Sequence, residues 1–150
     1  MKERYEIKCA SFLILTKYED DKEFVLLQRR FNTGVIDGKF DVSSSGHLEE
    51  GETVRECIIR ETKEEIGVSI YEEDLKYVST IHANFGGIEY LLVVFQASKY
   101  QGKPRILEID KCNELVWCDI NELPIDLDDS RKVMINNYLN GIHYDEFGFK

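Results

Sequence analysis

The stretch Thr53–Gly67 constrains this chain more than any other. Thr53 followed by Glu56 has the form of a capping box, in which a threonine and a glutamate satisfy each other's backbone N–H groups at a helix start. Gly67 stands where a helix would stop, because glycine accepts the left-handed backbone that closes a last turn. The pattern predicts a helix over Thr53–Ile66. At roughly 100° per residue, Val54, Ile58, Ile59, Thr62 and Ile66 fall on one arc, a core-facing stripe. Such a stripe must be covered, so the helix is expected to lie on a sheet.

Three acids complicate the stripe. Glu61, Glu64 and Glu65 are spaced i, i+3 and i+4, with Glu61 and Glu64 beside the stripe and Glu65 within it. Glu56 and Lys63 point the other way. Like charges at this spacing repel by a few tenths of a kcal/mol each in water, and by more when partly buried. Arg60 offsets one flank but not three acids. Magnesium would, since it takes oxygen ligands and keeps several waters. A solvated acidic helix face is the plain alternative. The preceding loop tips the balance: Ser43-Ser44-Ser45 with Gly46 and Gly51 allows close backbone approach and offers exposed carbonyl and N–H groups.

The rest of the chain reads as strands and turns. Tyr5–Thr16 and Phe24–Gln28 are apolar runs on either side of a charged turn, Tyr18–Lys22, and predict a hairpin. Phe31–Gly38, with Asn32, Gly34 and Asp37-Gly38, reads as a loop; Phe40–Val42 reads as a short strand and Ser43–Gly51 as another loop. Lys76–His82 and Glu89–Ala97 read as strands joined by a turn at Asn84–Gly87. Leu115–Cys118 reads as a short strand, and Ile120–Leu123 as a single helical turn. Ser130–Leu139 reads as a closing helix that buries Val133, Met134, Tyr138 and Leu139. Interleaved strands and helices predict an α/β (α+β) class with a mixed sheet between helices. With 150 residues and no linker-like tract, a single domain over residues 1–150 is expected.

Composition excludes some roles. A net charge of −10 makes the chain a poor nucleic-acid binder, because it repels the phosphate backbone. There is no apolar run of membrane-spanning length, and the charged start Met1–Glu6 is unlike a signal peptide. No membrane partner is expected, and the default location is cytoplasmic. Cys9, Cys57, Cys112 and Cys118 form no Cys-x-x-Cys pair, so reduced and mostly buried thiols are expected rather than a zinc site.

The run Gly46–Val68 resembles the Nudix box, whose pattern is glycine, five residues, glutamate, seven residues, then Arg-Glu-U-x-Glu-Glu-x-Gly-U, with U a bulky aliphatic. Gly46, Glu52, Arg60, Glu61, Glu64, Glu65 and Gly67 fill all seven fixed positions, and Val68 fills the last U. Thr62 stands at the first U, a mild departure that keeps a β-branched shape but adds a hydroxyl. The box covers 23 of 150 residues, and the strands around it fit the same family.

The resemblance implies a Nudix-type α/β/α sandwich and a MutT-like hydrolase. It would be a metal-dependent pyrophosphatase that cleaves a diphosphate bond in a nucleoside triphosphate or other nucleoside-diphosphate derivative. The implied cofactor is magnesium, with manganese as a substitute. Glu61 and Glu65 would bind metal. Glu64 would bind a second metal or act as the general base. Ser45 would offer its backbone carbonyl. Gly46, Glu52, Arg60 and Gly67 would be structural, with Glu52 and Arg60 an ion pair. A further acid from outside the box often completes such a site: Glu108 is the first choice here and Glu114 the second.

Three substrate contacts are expected beyond the box. Arg29 and Arg30 follow a strand and suit phosphate clamping, and Asn84 ends a strand on the expected pocket side. The residues Ser44-Ser45-Gly46 depart from the Pro-Gly-Gly of many members and resemble the isopentenyl-diphosphate isomerase-like branch. The isomerases carry a cysteine where this chain has Ser45, which disfavours that chemistry. A non-catalytic ligand-binding Nudix module is the third reading, and the full set of box glutamates weighs against it. The expected partner is a small diphosphate-containing molecule, and the chain is expected to be a monomer or a homodimer.

Overall fold

In the computed structural model, residues 3–150 are described; Met1 and Lys2, the first of the charged N-terminal run, lie outside them. Strand β1 (Lys8–Glu19) turns at Asp20-Asp21 into β2 (Lys22–Arg30). Both turn residues have positive φ, 52° and 62°, the backbone that two-residue hairpin turns require. The strand therefore starts later and runs further than the apolar run alone suggested, since pairing with β2 extends it through the polar residues Lys17–Glu19.

Next come β3 (Phe40–Val42), β4 (Ser44–His47) and helix α1 (Val54–Ile66). Thr53 caps α1 with the full capping box, and Gly67 closes it at φ 71°. The antiparallel hairpin β5 (Lys76–Phe85) and β6 (Ile88–Ala97) follows, turning at Gly86-Gly87. The chain ends with β7 (Cys112–Asp119), α2 (Asp129–Asn140) and β8 (Tyr144–Phe147).

The eight strands form one mixed sheet with the path β3-β2-β1-β6-β5-β8; β4 pairs with β1, and β7 pairs with β2. The pairs β1–β6 and β5–β8 are parallel, and the others are antiparallel. Alternation along each strand sends side chains to two cores. Phe12, Ile14, Val25, Leu27, Leu92 and Val94 pack with Met134 and Ile135 of α2. Leu13, Leu15, Leu26 and Phe95 pack with Ile58 and Ile66 of α1. The sheet thus lies between two helices, the α/β/α arrangement expected of an α+β Nudix-type fold. Among the described residues, no helix is long and apolar enough to cross a membrane.

Four local expectations need correction. Ser44–His47 is a strand, not loop: it pairs with Ala10–Leu13 of β1, and the buried Ser44 Oγ meets Thr62 Oγ1 of α1 at 2.7 Å. Small polar residues carry no apolar alternation, so this strand has no sequence signature. Strand β8 was not expected, because Tyr-Asp-Glu-Phe lies at a half-exposed edge. Ile120–Leu123 forms a turn without helical structure. Helix α2 leaves Leu139 44% exposed and buries Arg131, Ile135 and Asn137 instead. All four cysteines are free thiols; Cys57 and Cys112 are buried, and Cys9 and Cys118 are half-buried.

Candidate active site

The site is built where β4 runs past α1. Ser44 is fixed to Thr62, so the hydroxyl that departs from the usual aliphatic has a buried partner. Two residues on, Gly46 presses against Glu61. A Cβ added to Gly46 would lie 2.2 Å from Glu61 Cδ, so a larger residue here would push the Glu61 carboxyl from its place. Between them, Ser45 N–H donates to Glu65 Oε2 at 3.0 Å. In an antiparallel ladder a residue's N–H and C=O point to the same side. The Ser45 carbonyl therefore faces α1 as well.

Arg60 organises the neighbouring acids. Its Nε and Nη2 donate to the two oxygens of Glu52 at 3.1 and 2.9 Å. Glu52 also accepts the Glu49 N–H at 2.8 Å, which ties the loop before α1 to the helix. The hydrogen bonds from Arg60, with help from the Glu49 N–H, hold the Glu52 carboxyl down at about 2, against an ordinary 4.5. Arg60 Nη1 reaches Glu61 Oε1 at 2.8 Å and Glu64 Oε2 at 3.3 Å.

Glu65 differs from these. Its partner is an amide, not a cation. Burial pushes its carboxyl well above the ordinary range, the Ser45 N–H opposes this, and the charges of Glu61, Glu108 and Asp41 add to it. Burial likewise raises Glu61; Arg60 opposes, and Glu64 and Glu108 push it further up. Glu64 is exposed.

Glu108 reaches this neighbourhood because the segment before β7 docks on the end of α1. Arg105 N–H donates to the Ile66 carbonyl at 3.1 Å and Leu107 N–H to the Glu65 carbonyl at 3.2 Å, satisfying carbonyls that a helix end leaves free. Glu114 lies elsewhere: it faces Arg29 across the β2–β7 ladder and pairs with it at 2.9 Å.

The two arginines of β2 diverge. Arg29 donates to Glu114, to the Gly38 carbonyl at 2.6 Å and to Asp126 at 2.9 Å, and its guanidinium stacks on Phe40. Its Nε and Nη1 are thus taken up by the protein. Arg30 Nε is buried without a hydrogen-bond partner, 3.9 Å from Asp41 Oδ2. Asn84 Oδ1 accepts the Gly87 N–H at 2.6 Å and fastens the β5–β6 turn. That hairpin reaches back toward the box through Tyr90, whose hydroxyl meets His47 Nε2 at 3.1 Å.

Do these groups suit a metal? Among the described residues, no three His, Cys, Asp or Glu side chains already converge into a cage. Glu61 and Glu64 are turned onto Arg60, and Glu65 onto Ser45. The donor chemistry does fit a hard divalent cation: all the groups are carboxylate or carbonyl oxygens, mutually repelling and short of cations. Rotation of Glu61 and Glu64 away from Arg60 is the change such an ion would require.

The sequence reading missed Asp41 and Arg131, a buried pair described below. Its one signal was a lone acid inside the apolar strand Phe40–Val42.

The family model of the Nudix domain matches residues 8–138. An uncharacterised Nudix hydrolase of Bacillus subtilis, YvcI, is 33% identical over 107 residues, which cover 69% of this chain and 62% of that protein. The dihydroneopterin triphosphate diphosphatase of Escherichia coli is 33% identical over 78 residues, 52% of this chain and 49% of that enzyme. The chain thus spans less than two thirds of the length of either relative. Among solved structures, a MutT Nudix hydrolase from Burkholderia pseudomallei superposes with a TM-score of 0.77 at 19% identity, covering 89% of this chain and 98% of the other. A sheet between two helices, a glycine pressed on the first acid of a capped helix and a domain model spanning residues 8–138 lead to one conclusion: the chain belongs to the Nudix domain family.

Proposed function

We propose that this protein is a metal-dependent pyrophosphohydrolase that cleaves a diphosphate bond in a nucleoside triphosphate or other small nucleoside-diphosphate derivative. The observation that carries this reading is Glu65: a shielded carboxyl, held by one amide and surrounded by acids, with no cation beside it. Ordinary structural packing would pair or remove such a charge. The E. coli relative, named as a triphosphate diphosphatase, supports the bond class.

On this reading Glu61, Glu65, the Ser45 carbonyl and Glu108 hold magnesium or manganese, and Glu64 holds a second ion or serves as the base. The ion, when bound, neutralises charge on the bridging phosphates and their leaving group. The chain supplies the rest. Where it serves as the base, the exposed Glu64 takes the proton of the attacking water. Arg30 donates to a phosphate oxygen, Arg29 stiffens the loop wall through Glu114 and Asp126, and Asn84 offers its amide N–H groups to the substrate's far end. Arg60 keeps the loop against α1 through Glu52.

A panel of nucleoside triphosphates, nucleotide sugars, ADP-ribose and dinucleoside polyphosphates, each with magnesium or manganese, tests the proposal. Released phosphate, pyrophosphate or nucleoside monophosphate from at least one class, abolished by chelation, is expected. No turnover on any class, with the protein folded and either metal present, contradicts it.

A further inference from the structure

Asp41 on β3 is fully buried, and two arginines from distant elements address it. Its Oδ1 accepts Arg131 Nε at 2.8 Å and the Val42 N–H at 2.7 Å, and its Oδ2 lies 3.4 Å from Arg131 Nη2. Arg131, on α2, is almost as deeply buried. Its Nη1 donates to Ser130 Oγ at 2.8 Å, and its guanidinium stacks on Phe12 at 4.8 Å. All three of its nitrogens thus have partners within the protein.

Arg30 differs. It sits at the end of β2, where the ladder with β7 shifts register. Its Nε stands 3.9 Å from Asp41 Oδ2, too far for a hydrogen bond, and has no other partner. A guanidinium N–H left unmet in a buried place is costly unless an incoming acceptor completes it. Arg30 also lies opposite Cys112 in the β2–β7 ladder, and Cys112 N–H donates to the Glu108 carbonyl at 3.0 Å, which brings Arg30 to the segment that docks on the end of α1. Asp128 also lies against Arg131, 3.8 Å from its Nη1, so the carboxylate nearest Arg30 is one that another arginine already holds.

We propose that the buried Asp41–Arg131 pair is a positioning device that aims the Arg30 guanidinium toward the acids of α1 and Glu108, where it donates to a phosphate oxygen of the substrate. Asp41 and Arg131 are positioning residues. They touch no substrate, and they act by fixing where Arg30 can go. Arg131 holds the carboxylate in place, and the carboxylate holds Arg30 at a distance that leaves its outer N–H groups free. The inference rests on the proposed diphosphate chemistry.

The test compares wild type, Arg30→Ala, Asp41→Asn, Arg131→Lys and the double variant Arg30→Ala/Asp41→Asn. Binding of imidodiphosphate in magnesium is measured by calorimetry, with steady-state kinetics on the best panel substrate. Arg30→Ala and Asp41→Asn are each expected to weaken imidodiphosphate binding about tenfold, the loss of one charge-assisted hydrogen bond. KM should rise while kcat stays within about threefold. The double variant should bind no worse than Arg30→Ala, because Asp41 acts only through Arg30. Arg131→Lys keeps the charge but loses the two-pronged grip, and should move affinity in the same direction. Should Asp41→Asn fail to melt cooperatively, Arg131→Lys, alone and combined with Arg30→Ala, decides. Folded Asp41→Asn or Arg131→Lys protein with wild-type affinity, beside a weakened Arg30→Ala, overturns the positioning role and leaves the hydrolase reading intact. Additive losses in the double variant overturn it too. Wild-type affinity in Arg30→Ala overturns Arg30 as a phosphate ligand, and the positioning role with it.

Discussion

Gly46 has an ordinary backbone angle, so its importance lies in the space it leaves. The atoms that an added methyl would meet belong to the Glu61 side chain, which can swing away, and not to fixed backbone. Gly46→Ala is therefore expected to cost only about 1–3 kcal/mol of stability, while displacing Glu61 and lowering metal-dependent turnover at least about tenfold. Thermal melts beside turnover measure the two separately. Glu52 gives a pH prediction. Its folded-state value, about 2, lies below the ordinary 4.5, so its pairing with Arg60 stabilises the fold fully above 4.5 and is lost as pH falls toward 2. Glu52→Gln removes this term. Its stability difference from wild type should shrink between those two pH values and stay constant above them, as read from urea midpoints. At this scale the relative placement of Glu61, Glu64 and Glu65 was legible in their spacing, because one helix fixes their separation, while their proposed metal-binding role came from the resemblance to the Nudix box. Asp41 and Arg131 were not, because they sit 90 positions apart and meet only through the sheet and α2.

Helix α1 was the most readable element, since cap, stripe and stop all lie within fifteen residues and agree. The capping box predicts that Thr53→Ala costs about 1 kcal/mol and lowers the melting temperature without changing the acids' spacing. A loss well above that would mean the cap also holds the box loop. Strands β4 and β8 were unreadable for different reasons. β4 is made of serines, glycine and histidine and exists because β1 offers it a ladder and Thr62 a hydroxyl. β8 is polar at an edge, where pairing with β5 suffices. The docking of residues 105–107 on the end of α1 was also hidden, although it brings Glu108 beside Glu61 and Glu65. That contact uses backbone N–H groups, which leave no trace in side-chain pattern.

Across the whole molecule, the fold solves a charge problem. The protein carries a net charge of −10, yet it gathers further acids at one end of α1 and gives Glu65 no cation of its own. A divalent ion that binds only the folded chain should therefore stabilise it, by about 2.7 kcal/mol at a hundredfold excess over Kd. Magnesium is expected to raise the melting temperature of wild type, and to do so much less for Glu65→Gln. The same substitution tests the central claim most directly. Magnesium-dependent turnover of the best panel substrate should fall at least about a hundredfold in Glu65→Gln, with a cooperative melt retained. A folded Glu65→Gln protein with full magnesium-dependent turnover would contradict the account.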